Sequence, residues 1–250
     1  MVNIIMVGCN GKMGRVITDI CNNDSDATIV AGVDPFAGVA NDYPVFASIT
    51  ECDVKADVII DFSNPKGLDD LLSFAKKNNT PIVLCTTGFS EEQLAQIKEA
   101  SKEVAILRSA NMSLGINSLM KLLKMATNML ADRGFDIEIV EKHHNQKLDA
   151  PSGTAIALAD CINEELNNEY EYVYDRSQVR QKRSDKEIGL SAVRGGTIVG
   201  EHQIIFAGRD EVIEFKHTAY SKEIFAKGAV DAAKFLGGQP AGMYDMSDVL

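Results

Sequence analysis

Short apolar, largely β-branched runs alternate with amphipathic stretches through residues 1–110, and the alternation predicts strands at 2–7, 28–33, 57–61, 82–85 and 104–107. Helices are expected to begin near Lys12, Pro65 and Ser90, the last with Glu91 and Glu92 set against the positive end of its dipole. This βαβ rhythm predicts an α/β protein whose first half is a Rossmann-type, doubly wound parallel sheet.

From Ser113 the period lengthens. Ile116, Leu119, Met120, Leu123 and Ala126 fall on one face of an expected helix, and a strand is expected at 135–141. A loop at 142–151 leads into a helix at 152–166, and the polar, tyrosine-bearing stretch 167–187 reads as a loop or partner contact. Three alternating segments, 189–194, 197–207 and 211–217, predict an antiparallel meander, and 219–235 returns to a helical pattern. The expected organisation is a dinucleotide-binding domain over 1–113, completed by 218–250, and an α+β domain over 114–217 for substrate binding and oligomerisation.

Composition narrows the function. A net charge of −11 argues against a nucleic-acid partner or adhesion to anionic membrane, so any anionic ligand must be held by local positive features. There is no run of eighteen apolar residues, and the apolar opening Val2–Val7 lacks a basic leader and runs into glycines, so it reads as a strand and not a signal peptide. The five cysteines form no C-x-x-C pair and read as core thiols in a reducing, cytoplasmic compartment.

Residues Gly8-Cys9-Asn10-Gly11-Lys12-Met13-Gly14 place three glycines between a strand and a helix. Glycine permits the tight turn and lets the backbone approach a pyrophosphate, which the free N–H groups of the helix start then hold. Asp34, twenty residues after Gly14 at the end of the second strand, is placed to accept hydrogen bonds from a ribose. A carboxylate there, followed by Pro35 instead of a cation, favours NADH, while Lys12 offers a contact for the extra phosphate of NADPH. The alternative is a glycine turn followed by a surface aspartate.

The segment Glu141 to Ala155 holds His143, His144 and Lys147 ahead of Pro151-Ser152-Gly153-Thr154. Histidine delivers protons near neutral pH, and lysine with the N–H groups of a helix start at Gly153 and Thr154 can hold carboxylates. The other reading is structural or surface charge. No metal site is expected, because His202 and His217 lie in predicted strands without ligand spacing.

Together the glycine loop and His-His-x-x-Lys-x-Asp-x-Pro-Ser-Gly-Thr-Ala resemble the dihydrodipicolinate reductase family of the diaminopimelate route to lysine. So do Asp61-Phe62-Ser63, Thr86-Thr87-Gly88-Phe89, Ser109-Ala110-Asn111-Met112-Ser113 and Tyr244-Asp245-Met246. The resemblance implies hydride transfer from NADH or NADPH to 4-hydroxy-tetrahydrodipicolinate, a cyclic dicarboxylate, giving tetrahydrodipicolinate and water. It implies that His143 is the proton donor/acceptor, Lys147 a second proton donor, and His144, Gly153 and Thr154 the carboxylate site. Gly8, Cys9, Asn10, Gly11, Lys12, Met13 and Asp34 would contact the dinucleotide, with Cys85, Thr86, Thr87, Ser109, Ala110, Asn111 and Met112 around its nicotinamide half. A homotetramer associating through the second domain's sheet is implied as well. This chain departs from the family pattern at Cys85, where glycine is common, at Ser63, where threonine is common, and at Pro35, where a basic residue is frequent.

Hydride transfer implies closure of the two domains, with hinges expected near Ser113 and Ala219. An amino-acid or semialdehyde dehydrogenase would share the first half but leave 147–154 unexplained. A dinucleotide-sensing regulator would not require His143 and Lys147 together.

Overall fold

The computed structural model describes residues 1–36 and 38–250. In chain order the first elements are β1 (Val2–Val7), α1 (Lys12–Asn22), β2 (Ala27–Val33), β3 (Val45–Phe46), β4 (Val58–Asp61), α2 (Leu68–Asn78), β5 (Ile82–Leu84), α3 (Glu91–Ala100) and β6 (Ala105–Arg108). They are followed by α4 (Leu114–Leu130), β7 (Asp136–His143), α5 (Gly153–Glu165), β8 (Glu171–Val173), β9 (Glu187–Arg194), β10 (Gly200–Ala207), β11 (Val212–Ala219), α6 (Glu223–Leu236) and β12 (Gly242–Tyr244). The chain divides into one unit of Met1–Leu114 with Glu223–Leu250 and another of Gly115–Lys222.

The first unit is Rossmann-like. Its sheet runs β12-β6-β5-β4-β1-β2-β3, and every pairing is parallel. Side chains alternate across it, because successive residues of a strand point to opposite faces. Ile4, Met6 and Ile60 pack with Ile17 of α1 and Ala229, Val230 and Ala233 of α6. Ile5, Val7, Ile59 and Leu84 pack with Leu71 and Leu72 of α2 and Ile97 of α3. Both faces are thus covered, which explains why the strands read as continuous apolar runs. Ser90 caps α3 in a reciprocal capping box with Gln93. The sequence pattern missed β3 and β12, whose two and three residues carry no periodicity of their own.

The second unit is a five-stranded mixed sheet in the order β11-β10-β7-β9-β8. Ile137, Ile139, Ile204 and Phe206 are buried beneath Leu119 and Leu123 of α4 and Leu158 and Ile162 of α5. The expected antiparallel meander is corrected here. Only β10 and β11 form an antiparallel hairpin of that kind, whereas β9 pairs parallel with both β7 and β8. The polar stretch 167–187, read as a loop, contains β8 at the sheet edge. The closing helix begins at Glu223 and not near 219, because Ala219 still pairs with Gly200 at the end of β11. Among the described residues, no helix is long and apolar enough to cross a membrane.

Candidate active site

In the first unit the strand order reverses between β1 and β4, where an open parallel sheet leaves a crevice beyond its strand ends. The glycine turn lies there. Gly8 has φ +82°, and a Cβ on it would stand 2.5 Å from the Phe62 carbonyl oxygen. A Cβ on Gly14 would stand 2.2 Å from the Gly8 oxygen, so this residue lets α1 pack under the turn. Gly11, the N-cap of α1, has no side-chain cap, which leaves the helix start to a ligand.

A cleft of about 710 Å³ opens beside this turn. Gly8, Asn10, Gly11 and Asp34 of the sequence-derived set line it. The buried Asp34 carboxylate accepts from the backbone N–H groups of Asn10 and Phe36, each at 3.0 Å. Asn10, at the position of the fingerprint's usual middle glycine, donates from its side chain to the Phe36 carbonyl at 2.6 Å and ties the two loops together. Sequence reasoning missed Phe36, Ser48, Asn64, Lys66 and Asp70 on the same wall. They lie on loops and helix starts that carry no local motif. The cleft's shape, its glycine cradle and its carboxylate fit a dinucleotide.

The remaining members of the set lie elsewhere in this unit. Lys12 is exposed and Met13 half-buried at the start of α1. Cys9 faces inward, where its Sγ fills the space above Gly32, and burial together with Asp34 pushes its thiol up to about 11. Cys85 packs on the core beside α6, and burial, then Asp61, pushes its thiol well up. Thr86 is buried and accepts from the Ser63 N–H at 2.9 Å, while Thr87 is exposed. Ser109, Ala110, Asn111 and Met112 follow β6, with Met112 buried and the Asn111 side chain accepting from the Ser113 N–H at 2.9 Å.

In the second unit β7 runs through His143, so His143 closes a strand and is buried instead of lying in the expected loop. Glu141, two residues earlier, shares its face. The Glu141 Oε2 lies 2.6 Å from His143 Nδ1. Arg194, at the end of β9, grips both Glu141 oxygens at 2.8 and 2.6 Å, and Ser152 N–H donates to Oε1 at 3.0 Å. Burial alone raises the Glu141 carboxyl, but these hydrogen bonds outweigh it and hold it below the usual carboxylate range.

His202, set aside from sequence, comes to the site. Its ring stands edge-on to His143 at 5.2 Å between centroids, and burial, reinforced by His143, pushes it down to about 4. The available signals were a glutamate two positions before the first histidine and an arginine closing the Gly189–Arg194 segment; β10 offered none. Gly200 borders the Nε2 edge of the His143 imidazole, where a Cβ would lie 3.1 Å from Nε2. Lys147 and Asp149 form an ion pair at 2.8 Å on the loop beyond. Ser152 caps α5 through the Ala155 N–H, leaving Gly153 exposed and Thr154 half-buried in its first turn.

A dinucleotide cleft on a Rossmann-like sheet, in a chain with a histidine–lysine loop on a second sheet, defines a nicotinamide-nucleotide oxidoreductase of two units. Models of the N-terminus and the C-terminus of dihydrodipicolinate reductase match residues 2–112 and 115–250. A 4-hydroxy-tetrahydrodipicolinate reductase of Clostridium novyi (strain NT) is 51% identical over 250 residues, covering 100% of this chain and 98% of its own. One of Clostridium tetani (strain Massachusetts / E88) is 52% identical, covering 100% and 97%. The dipicolinate-bound dihydrodipicolinate reductase of Paenisporosarcina sp. TG-14 superposes with a TM-score of 0.83 at 25% identity over the full length of both chains. The chain belongs to the dihydrodipicolinate reductase family.

Proposed function

We propose that the chain reduces 4-hydroxy-tetrahydrodipicolinate to tetrahydrodipicolinate and water, with NADH as the preferred nucleotide, NADPH as the alternative and His143 and Lys147 as its proton-handling residues. The observation that carries the reading is the buried His143 imidazole, held at Nδ1 by Glu141 and bordered at Nε2 by a glycine.

Met1–Leu114 with Glu223–Leu250 is the proposed dinucleotide unit, and Gly115–Lys222 the proposed substrate and association unit. When bound, the reduced nicotinamide supplies the hydride. The chain's own residues supply the rest. The α5 N-terminus at Gly153 and Thr154, with His144, holds substrate carboxylates through N–H groups and the helix dipole. His143 Nε2 or Lys147 Nζ protonates the ring as negative charge develops on it, a contribution of about 10²–10⁴ in rate. Gly8, Cys9, Asn10, Gly11, Lys12 and Met13 are assigned to the pyrophosphate turn and Asp34 to the ribose. Cys85, Thr86, Thr87 and 109–112 are assigned to the nicotinamide side, Cys85 through its backbone.

NADH is favoured because the Asp34 carboxylate repels a 2′-phosphate at the ribose position. A homotetramer formed through the second unit's sheet is supported by the face opposite α5, where Val140 and Ile205 are half-buried and Val193 is exposed. The cytoplasm is the proposed compartment, in keeping with five unpaired cysteines.

The test generates the substrate in place from pyruvate, aspartate semialdehyde and a purified synthase, and follows NADH and NADPH oxidation. The wild type is expected to oxidise both nucleotides, NADH faster. H143A and K147A are each expected to lose about 10²-fold or more in kcat while keeping nucleotide affinity. A folded wild type that binds nucleotide but oxidises neither overturns the reading.

A further inference from the structure

We propose that Glu141 and Arg194 are a positioning pair that fixes His143 and anchors the loop carrying Lys147, so that one network built on a buried carboxylate sets the geometry of both groups. The inference rests on the reading of His143 and Lys147 as proton-handling residues.

Glu141 is 1% exposed, and four donors converge on its two oxygens. Oε1 accepts from Arg194 Nη2 at 2.6 Å and Ser152 N–H at 3.0 Å. Oε2 accepts from Arg194 Nη1 at 2.8 Å and lies 2.6 Å from His143 Nδ1. An anion so enclosed can only accept, so the imidazole must present Nδ1–H to it and leave Nε2 to exchange a proton. The bidentate arginine supplies the charge that makes the buried carboxylate tolerable.

Arg194 reaches further. Its Nη2 also donates to the Asp149 carbonyl at 2.6 Å, and the Asp149 carboxylate pairs with Lys147 Nζ at 2.8 Å. Gly195 N–H closes the return by donating to the His143 carbonyl at 2.9 Å. The contacts therefore run from His143 through Glu141, Arg194 and Asp149 to Lys147. Glu141 on β7 is the charged group in contact with the His143 ring, Arg194 on β9 pairs with Glu141, Lys147 and Asp149 pair with each other on the loop, and the His202 ring on β10 stands 5.2 Å away between centroids. A pair kept only for stability has no need of charge, since a well-packed apolar pair in its place is often as stable or more so. This pair instead aims a side-chain oxygen at one ring nitrogen and a guanidinium at one loop carbonyl.

The test compares wild type, E141Q, R194K, the charge-free double variant E141L/R194M and H143A. It uses kcat, KM and the ¹⁵N signals of labelled histidine. The wild type is expected to show His143 protonated at Nδ1. E141Q is expected to lose about 10²-fold in kcat with KM changed less than about threefold, and its His143 ¹⁵N signals to show that the proton is no longer fixed at Nδ1. R194K, which keeps the charge but not the fork, is expected to fall between wild type and E141Q. The double variant is expected to fold and to lose activity as E141Q does, and it carries the test if E141Q does not fold. Retention of kcat within threefold and of the Nδ1-protonated ¹⁵N pattern in E141Q or the folded double variant, with H143A inactive, overturns the inference. An H143A enzyme as active as wild type overturns instead the reading on which it rests.

Discussion

Ser152 Oγ lies 3.1 Å from His202 Nε2, joining the N-cap of α5 to a strand fifty residues further along the chain. The same hydroxyl accepts from the Ala155 N–H at 3.1 Å, so the helix start and the buried histidine are fixed together. The His202 Nδ1 has no hydrogen-bond partner among the described residues, so a proton at that nitrogen meets no acceptor.

This histidine sets a pH dependence of stability. Its pKa is about 4 folded against 6.5 as a free side chain, so between those values the unfolded chain binds the proton first. The contribution is therefore complete above pH 6.5 and lost as pH falls towards 4, amounting to about 3 kcal/mol at the acid end. His217, pushed down by burial, acts with the same sign. Urea unfolding at steps from pH 7 to 4.5 is expected to show the slope in the wild type and a shallower one in H202Q; equal slopes would exclude His202 as the source.

Gly14 and Gly11 are expected to respond differently to alanine. A methyl on Gly14 meets the Gly8 oxygen at 2.2 Å and the Cys9 oxygen at 2.6 Å, both backbone atoms that cannot swing away. G14A should therefore destabilise the protein by about 1–3 kcal/mol through overpacking. The Gly11 methyl stands 3.2 Å from its one near neighbour, the Gly8 oxygen, on the side left to the nucleotide. G11A is expected to keep the melting temperature within a few degrees and to weaken NADH binding. Calorimetry beside fluorescence titration separates the two.

Nucleotide choice should turn on Asp34. Replacing its carboxylate in D34A removes the charge that opposes a 2′-phosphate, and the NADPH-to-NADH ratio of kcat/KM is expected to rise by about tenfold, equivalent to about 1.4 kcal/mol. An unchanged ratio would move the discrimination to Lys12 or Lys66.

The Lys147–Asp149 ion pair is the last link of the network proposed to set the position of Lys147. Asp149 is 56% exposed on its side chain, so the pair is worth at most about 1 kcal/mol. D149N, which breaks this link, is expected to lower kcat by up to about fivefold with KM little changed; a lowered KM with kcat unchanged would show that Asp149 only competes with the substrate for the ammonium group.

Much of this protein was legible along the chain because some information is local. The runs at β1, β4 and β5 report burial on both sheet faces, Gly8 and Gly14 report a turn no larger residue can make, and His143 to Thr154 lie within twelve positions. What depended on distant partners was not legible. The direction of β9 beside β7 follows from which edge the chain returns to, and a pattern of apolar positions reads the same in either direction. Arg194 lies fifty-three residues from Glu141, and His202 fifty from Ser152. The sequence alone determined the class of the first sheet, the nucleotide turn and the histidine–lysine loop. Only the tertiary structure decided which buried charge holds the imidazole, because that pairing is made by strands whose order no local periodicity encodes.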